Sequence, residues 1–560
     1  MLPADVPGFI VLPRVSESND KLTQFARKVS KQYDALEIDD LVHDLGLLSE
    51  DLDTTRPITL VFTKPTFEGS DMVVAFHPMD IDAFMLKHGL VTGRTGRMEI
   101  HDRRVRVVVK GDVVFASRRL LPLRVLRNVD PASTVMQRMD ELDRAYLTHS
   151  EAVVHLNLKP WRNKISPMVS LVTTMMQLGI AAEADAEKAA AAREVLNWIG
   201  SGASELVRQM ESITLSIRLT DDAAYIEHRH RFEPGGNISR YLGSVTRESE
   251  NLFKTLPNRP FWMVATSNWR CPPGESLTTK LTEFVMTKKS IVGNRLTDKK
   301  IRRVISDVRC CYGQMKGTSF MLSSQKGMIF PMEMVGSYVL EDASQGVKQI
   351  RFIQENANEA LGFVMPCGDL KSKFVTKEKD GFRYDEMHMD FAAMGPMMQK
   401  QMEMTYGPEA RFQNAIVSPT EVIFCMAEPP TSVVTLAKAR EAGLPTLAEN
   451  DEVRKIAGHL QQYPNVVILF DLDRLFAAVP DLAAQSGMSI TVKAKDAGPS
   501  ARTLVSSVPK QSKTLLGWSC VVKKGELTGR LAIDAEDAAS AAEGIRSLAS
   551  EMKRLHVSSK

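Results

Sequence analysis

The sequence predicts an α+β protein built from several diverged units, each an antiparallel sheet with helices packed on one face. Three observations predict it. A short apolar run, a polar or proline break and a helical pattern recur in that order along the chain. Hairpins carrying their own turn residues fall between these phrases. Long amphipathic helices separate the groups. A doubly wound parallel sheet demands regular strand–helix alternation, which the hairpins interrupt.

In chain order the phrase first reads PGFIVLPRVSESNDKLTQFARKV from Pro7. It returns as DMVVAFHPMDIDAFMLKHG from Asp71, GDVVFASRRLLPLRVLR from Gly111 and EAVVHLNLKPWRNKI from Glu151. Later instances begin at Arg259, Thr420 and Pro464, and each predicts a strand leading into a helix. MEIHDRRVRVVVKGDVVFAS predicts three successive strands with a turn at Lys110-Gly111-Asp112. SITLSIRLTDDAAYIEHRHRF turns near Asp221 and Asp222 and puts Ile213, Leu215, Ile217 and Leu219 on one face. WSCVVKKGELTGRLAI turns at Lys524-Gly525. An alanine-rich helical stretch precedes Met210, with a Gly-Ser-Gly interruption near Gly200. A final amphipathic helix, Ala535 to His556, is expected to lie on a sheet formed by SITVKAK and WSCVVKK. The expected division is 1–149, 150–255 with the alanine-rich helices, 256–448 with a methionine-rich strand and helix, and 449–560.

Composition narrows the function classes. A chain of 560 residues exceeds a single core, while 44% hydrophobic and 25% charged residues describe an ordered globular protein. A net charge of +3 gives no global attraction to nucleic acid or membrane. No window approaches the roughly 18 apolar residues of a transmembrane helix. The N-terminus has neither a basic region nor a cleavage pattern. The expected location is therefore cytoplasmic, or the periplasm or envelope if an export signal was removed. Six cysteines without a Cys-x-x-Cys read as reduced and structural.

Four groups of residues are candidates for chemistry. DEMHMDFAAMGPMMQKQMEM, from Asp385, offers thioethers and His388 to a soft metal. Strand alternation, however, puts Met387, Met389 and Phe391 on one face and His388 on the other, so the methionines read as core or adaptable surface. His228 and His230 share a strand face but lack a third ligand. Asp80 with Asp82, and Asp471 with Asp473, sit where helices begin and read as caps rather than a cation site, as do Ser267-Asn268 and Asn157. Arg94 to Arg127 is basic, with Arg104, Arg106 and Lys110 on one strand face. It reads as a solvated face or as the partner of the acidic stretch Asp34 to Asp53. Nucleophile-elbow, phosphate-loop, dinucleotide and zinc-protease motifs are missing from the sequence.

LPADV at the start, TTRPITLVFTKP from Thr54, EAVVHLNLKP from Glu151 and TYGPEARFQNAIVSPTEVIFCMAE from Thr405 resemble a family of large envelope proteins of planctomycete-type bacteria. The resemblance implies an envelope setting and brings no functional residue with it. The expected function is non-catalytic: a structural or protein-interaction protein whose partners are other proteins or its own copies. No catalytic, cofactor-binding or metal residue is assigned, no cofactor is expected, and neither nucleic acid nor a membrane span is among the expected partners. The other reading is an apolar-ligand carrier or hydrolase with a site formed between units.

Overall fold

The computed structural model describes residues 6–29, 52–66, 71–100, 103–127, 137, 139–180, 186–247, 251–288, 292, 296–324, 331–361, 374–388, 391–394, 396–474 and 514–538. The chain divides into two compact units. Unit 1 comprises Met1–Val169, Ala203–Ser239 and Gly525–Ala542. Unit 2 comprises Ser170–Gly202, Arg240–Lys524 and Glu543–Lys560. Segments 1–149 and 256–448 each fall in one unit, whereas 150–255 and 449–560 are shared between the two.

Unit 1 is an antiparallel sheet. Its strands are β1 (Gly8–Leu12), β2 (Ile58–Phe62), β3 (Met72–Phe76), β4 (Thr95–Ile100), β5 (Arg103–Lys110), β6 (Val113–Ser117), β7 (Ala152–Asn157), β8 (Met210–Leu219) and β9 (Ala223–Phe232). They pair in the order β4-β5-β6-β3-β2-β1-β7-β8-β9. The predicted triple run is β4, β5 and β6, turning at Gly111, whose φ of 59° is the left-handed region that glycine enters without strain. Helices α1 (Val15–Val29), α2 (Ile81–His88) and α3 (Leu120–Arg127) follow their strands as expected, and α4 (Glu141–His149) precedes β7.

The α+β antiparallel class is the one predicted, but helix cover goes beyond one face. Phe9, Val61, Val73 and Val108 pack with Leu123 and Leu126 of α3. The alternate residues Phe76, Val107, Val109 and Val114 pack with Phe84 of α2. Fully apolar strands such as MVVAF allow burial on both sides.

Two long helices, α5 (Leu158–Ile180) and α6 (Ala186–Gln209), leave β7 and return to β8. The predicted break near Gly200 does not occur, because α6 runs through it. Gly200 instead permits close helix packing: a Cβ there would lie 2.8 Å from Thr173 Oγ1 and 3.0 Å from Thr173 Cγ2.

Unit 2 opens with α7 (Asn237–Ser244, shared with unit 1) and a two-strand ribbon, β10 (Thr246–Arg247) with β12 (Trp269–Arg270). Its main strands are β11 (Met263–Ser267), β13 (Met315–Ser324), β14 (Met332–Leu340), β15 (Val375–Lys379), β16 (Phe382–His388), β17 (Arg411–Ser418), β18 (Glu421–Ala427), β19 (Val466–Asp471) and β20 (Leu515–Lys523). All pairs are antiparallel, in the order β15-β16-β17-β18-β14-β13-β11-β19-β20. Helices α8 (Leu277–Thr287), α9 (Asp298–Gln314), α10 (Ala343–Leu361), α11 (Pro396–Tyr406), α12 (Val433–Glu441) and α13 (Asp451–His459) connect them. The apolar runs after Asp71, Glu151, Arg259, Thr420 and Pro464 are β3, β7, β11, β18 and β19.

The last strand, β21 (Glu526–Asp534), belongs to unit 1. It pairs with β9 from Glu526↔Arg231 to Asp534↔Ala223. Of the predicted C-terminal helix, 535–538 is helical. The remainder, like SITVKAK, lies outside the described residues.

Candidate interaction face

The strand β16 carries Met387 into an aromatic cluster with Phe374, Phe412, Phe424 and Met426, while His388 is exposed. The two therefore part company, as alternation requires. Met389 and the side chains of Met397 and Met398 lie outside the described residues. Pro396 opens α11 and Gly407, at φ 88°, ends it. Among the described residues, no group of three His, Cys, Asp or Glu side chains is arranged to hold a metal ion.

Asp80 and Asp471 are caps, while Asp473 reaches the start of β20. Asp80 Oδ1 accepts from the backbone N–H groups of Asp82 and Ala83 at 2.9 and 3.0 Å. Asp471 Oδ1 accepts from Arg474 N at 3.0 Å, and Asp473 accepts from Thr514 N at 3.0 Å. Asn157 receives Lys159 N at 3.3 Å, whereas Ser267 and Asn268 begin no helix, because β11 ends there and β12 follows at once. In the basic stretch Arg97 stands directly across from Arg106. Residues 34–51 of the acidic stretch lie outside the described residues. Cys310 is exposed, while Cys271, Cys311, Cys425 and Cys520 are buried, and burial pushes the Cys425 thiol up to about 12. Cys367 lies outside the described residues.

His228 and His230 form a pair, with His230 Nε2 3.1 Å from His228 Nδ1. The His228 ring lies over Gly529 of β21, where a Cβ would overlap it. Burial, and then the neighbouring His228, push the His230 pKa down to about 4. The folded state thus holds His230 neutral, whereas the unfolded chain takes up the proton near 6.5. Acidification therefore disfavours folding once the pH drops below about 6.5, and the loss stops growing near 4. Unit 1 is expected to lose about 1 to 2 kcal/mol from this group between pH 7 and 5. His155 and His228, also pushed down by burial, add in the same direction. Urea titrations at the two pH values check it: His230→Phe should flatten the dependence, and an equally steep variant contradicts the assignment.

Beside the histidines the sheet reverses its expected polarity. Leu215 and Ile217 of β8 are 39% and 45% exposed, and Ile226 of β9 is 46% exposed, while Ser212, Thr214 and Ser216 are buried. The buried face is ionic. Arg229 forks onto Asp140 at 2.6 Å twice, reaches Asp143 at 3.0 Å and also binds Glu526. Arg530 binds Glu227 at 2.7 Å, and Thr214 bridges Asp143 and His155 at 3.2 and 3.0 Å. The network lies on the side that α4 covers, and the aliphatic side faces out. Period-two alternation located both faces but could not say which one is covered.

A second reversal involves α5. From Ile165 to Ala182 the sequence has no charged residue. Leu171, Val172, Met175, Met176 and Leu178 are 59%, 51%, 63%, 54% and 67% exposed. Spacings of three and four residues place Leu171, Val172, Met175 and Leu178 on one stripe. The opposite side of the helix meets α6, through Thr173 at Gly200 and a Gln177–Asn197 hydrogen bond of 2.7 Å. Helix α6 in turn packs Ala191, Val195 and Trp198 against Leu281, Phe284 and Val285 of α8, with Trp198 stacked on Phe284 at 5.7 Å. The apolar side of α5 is left outward. TTMMQL was visible in the sequence as one methionine cluster among several; its exposure follows only from the small residues that take the inner side.

No family model matches the chain, and neither does any curated protein. The solved structure of TP0453, crystal form I, aligns over 53% of this chain and 97% of its own at 7% identity, with a TM-score of 0.20, too low to carry an argument. Among the described residues no helix is long and apolar enough to cross a membrane.

Proposed function

We propose that this chain is an interaction protein that associates with copies of itself through the outer stripe of α5. The observation that carries the reading is the orientation of that helix. A surface helix ordinarily turns its aliphatic stripe inward and its polar residues to water. Here Thr173 and Gln177 face the neighbouring helix and Leu171, Val172, Met175 and Leu178 face out. Contiguous exposed apolar surface of this kind marks contact sites, and methionine adapts its shape to a partner.

The same antiparallel order recurs in the two units. β1-β2-β3-β6-β5-β4 in unit 1 corresponds to β11-β13-β14-β18-β17-β16 in unit 2, with β7-β8 and β19-β20 on the other flank of β1 and β11. This supports reading the chain as diverged repeats, a frame suited to presenting surfaces. For a ligand carrier, the apolar hollow of unit 2 beside Leu256, Val335, Ile423 and Leu436 offers only about 30 Å³, room for a water or two.

Light scattering coupled to size exclusion tests the proposal. Wild-type protein should exceed its monomer mass increasingly with concentration, and Leu171→Glu with Met175→Glu should run as a monomer of unchanged melting temperature. A wild type that stays monomeric across a wide concentration range, or a double variant that associates equally well, overturns it.

A further inference from the structure

One side of unit 1 concentrates arginine. In β5 the residues Arg104, Arg106, Val108 and Lys110 alternate onto the same side of the sheet. Val108 packs there with Leu123 and Leu126 of α3, and Lys110 donates to the Leu126 carbonyl at 2.9 Å, so this is the side that α3 covers. Arg97 of β4, directly across from Arg106, shares it. On the other flank of Arg106 stands Ser117 of β6, from which the chain passes through Arg118 and Arg119 into α3. The strand arginines and the start of the helix therefore meet near the β4 edge.

Arg97, Arg104, Arg118, Arg119 and Arg124 are exposed and Arg106 is half-buried. Among the described residues, none of the six makes an ion pair or hydrogen bond through its side chain. The arrangement is locally unfavourable twice over. Like charges directly opposite on neighbouring strands repel. Two cations at the start of α3, whose first turn carries no acidic residue, oppose the helix dipole. Nearby carboxylates are engaged elsewhere: Asp112 by Arg56, and Asp140 and Asp143 by Arg229 of β9, at the opposite end of the strand order. An anion laid on this side offsets both repulsions at once.

Leu121 identifies the kind of anion. It is 55% exposed and lies three residues from both Arg118 and Arg124, on the outer side of α3, while Leu123 and Leu126 point inward. An aliphatic side chain ringed by cations suits a bilayer surface, where it enters between headgroups whose phosphates the cations meet. Stacking on nucleic-acid bases would call for an exposed aromatic, and the exposed large hydrophobic residues described in unit 1 include none. We propose that the α3 side of unit 1 docks on an anionic lipid surface, its arginines on the phosphates and Leu121 between the headgroups.

Co-sedimentation of the full chain with phosphatidylcholine vesicles containing about one-third phosphatidylserine tests this. The protein should pellet with them, stay in solution with pure phosphatidylcholine, and be released as salt rises from about 0.1 M to about 0.5 M. Arg97→Gln with Arg104→Gln and Arg106→Gln should weaken binding about a hundredfold, roughly fivefold per arginine, without lowering the melting temperature. On the helix side, Arg118→Gln with Arg119→Gln should weaken it about twentyfold. Leu121→Gln should weaken it about fivefold and leave the salt dependence as it was. Failure to bind anionic vesicles, or equal binding to neutral ones, overturns the proposal. So do Gln variants or a Leu121→Gln variant with wild-type affinity, or duplex DNA that binds more tightly than the vesicles at the same salt.

Discussion

Replacing Arg229 by methionine is expected to destabilise unit 1 by about 3 to 5 kcal/mol, the usual cost of removing one partner from a buried ionic group. Arg229 is 4% exposed, and Asp143 beneath it is fully buried. With the guanidinium gone, Asp143, Asp140 and Glu526 face one another with Arg231 as the nearest remaining cation, 3.6 Å from Asp143 at its closest. The Arg229 hydrogen bonds hold the Asp140 carboxyl down at about 2, so this carboxylate supports folding above its unfolded value near 4 and loses that support as the pH falls toward 2. A second substitution, Asp143→Asn, should recover part of the loss, because it removes a charge that no longer has a partner. A denaturant-based double-mutant cycle reads the coupling. If Arg229→Met costs less than about 1 kcal/mol, the network is not the buried ionic core described above.

The second large effect is in unit 2. Gly336 lies in β14 between Phe320 of β13 and Phe424 of β18. A Cβ there would overlap both the Ser319 carbonyl oxygen and the Phe424 ring. The ring cannot easily move aside, since it is stacked on Tyr338 at 4.7 Å and on Phe412 at 6.3 Å. Gly336→Val is therefore expected to cost about 3 kcal/mol or more by overpacking. Gly336→Ala should already cost about 2 kcal/mol, because the first overlap is with backbone. Adding Phe424→Ala should not rescue the alanine variant, since the carbonyl remains. Calorimetric melting checks both, and an alanine variant melting with the wild type contradicts the packing.

Much of the fold was legible in the sequence. The apolar runs at Met72, Ala152, Met263, Glu421 and Val466 became strands because β-branched and aromatic residues there are bounded by turn and capping residues. Asp80 and Asp471 acted as caps for the local reason that a short carboxylate reaches the free N–H groups of the next turn. What stayed hidden depends on neighbours distant in sequence. Ile217 and Ile226 look like core, and only the pairing of Arg229 with Asp140 and Glu526 shows why they are outside. The outward turn of Leu171 and Met175 likewise shows only once Gly200 is seen to admit Thr173 on the inner side.

The placement of β21 has a consequence for how the protein is made. Arg229 and Glu526, which meet across the β9–β21 ladder, are 297 residues apart in sequence. At about 5 to 20 residues per second, a ribosome needs roughly 15 to 60 seconds to cover that distance. Throughout that interval β9 has emerged without the strand that covers it. An open edge with Ile226 on one side and Arg229, still without Glu526, on the other invites pairing with the wrong strand. The nascent chain therefore leaves β9 without its neighbour in the meantime, and emergence of β21, the last strand of unit 1, sets when its sheet can close.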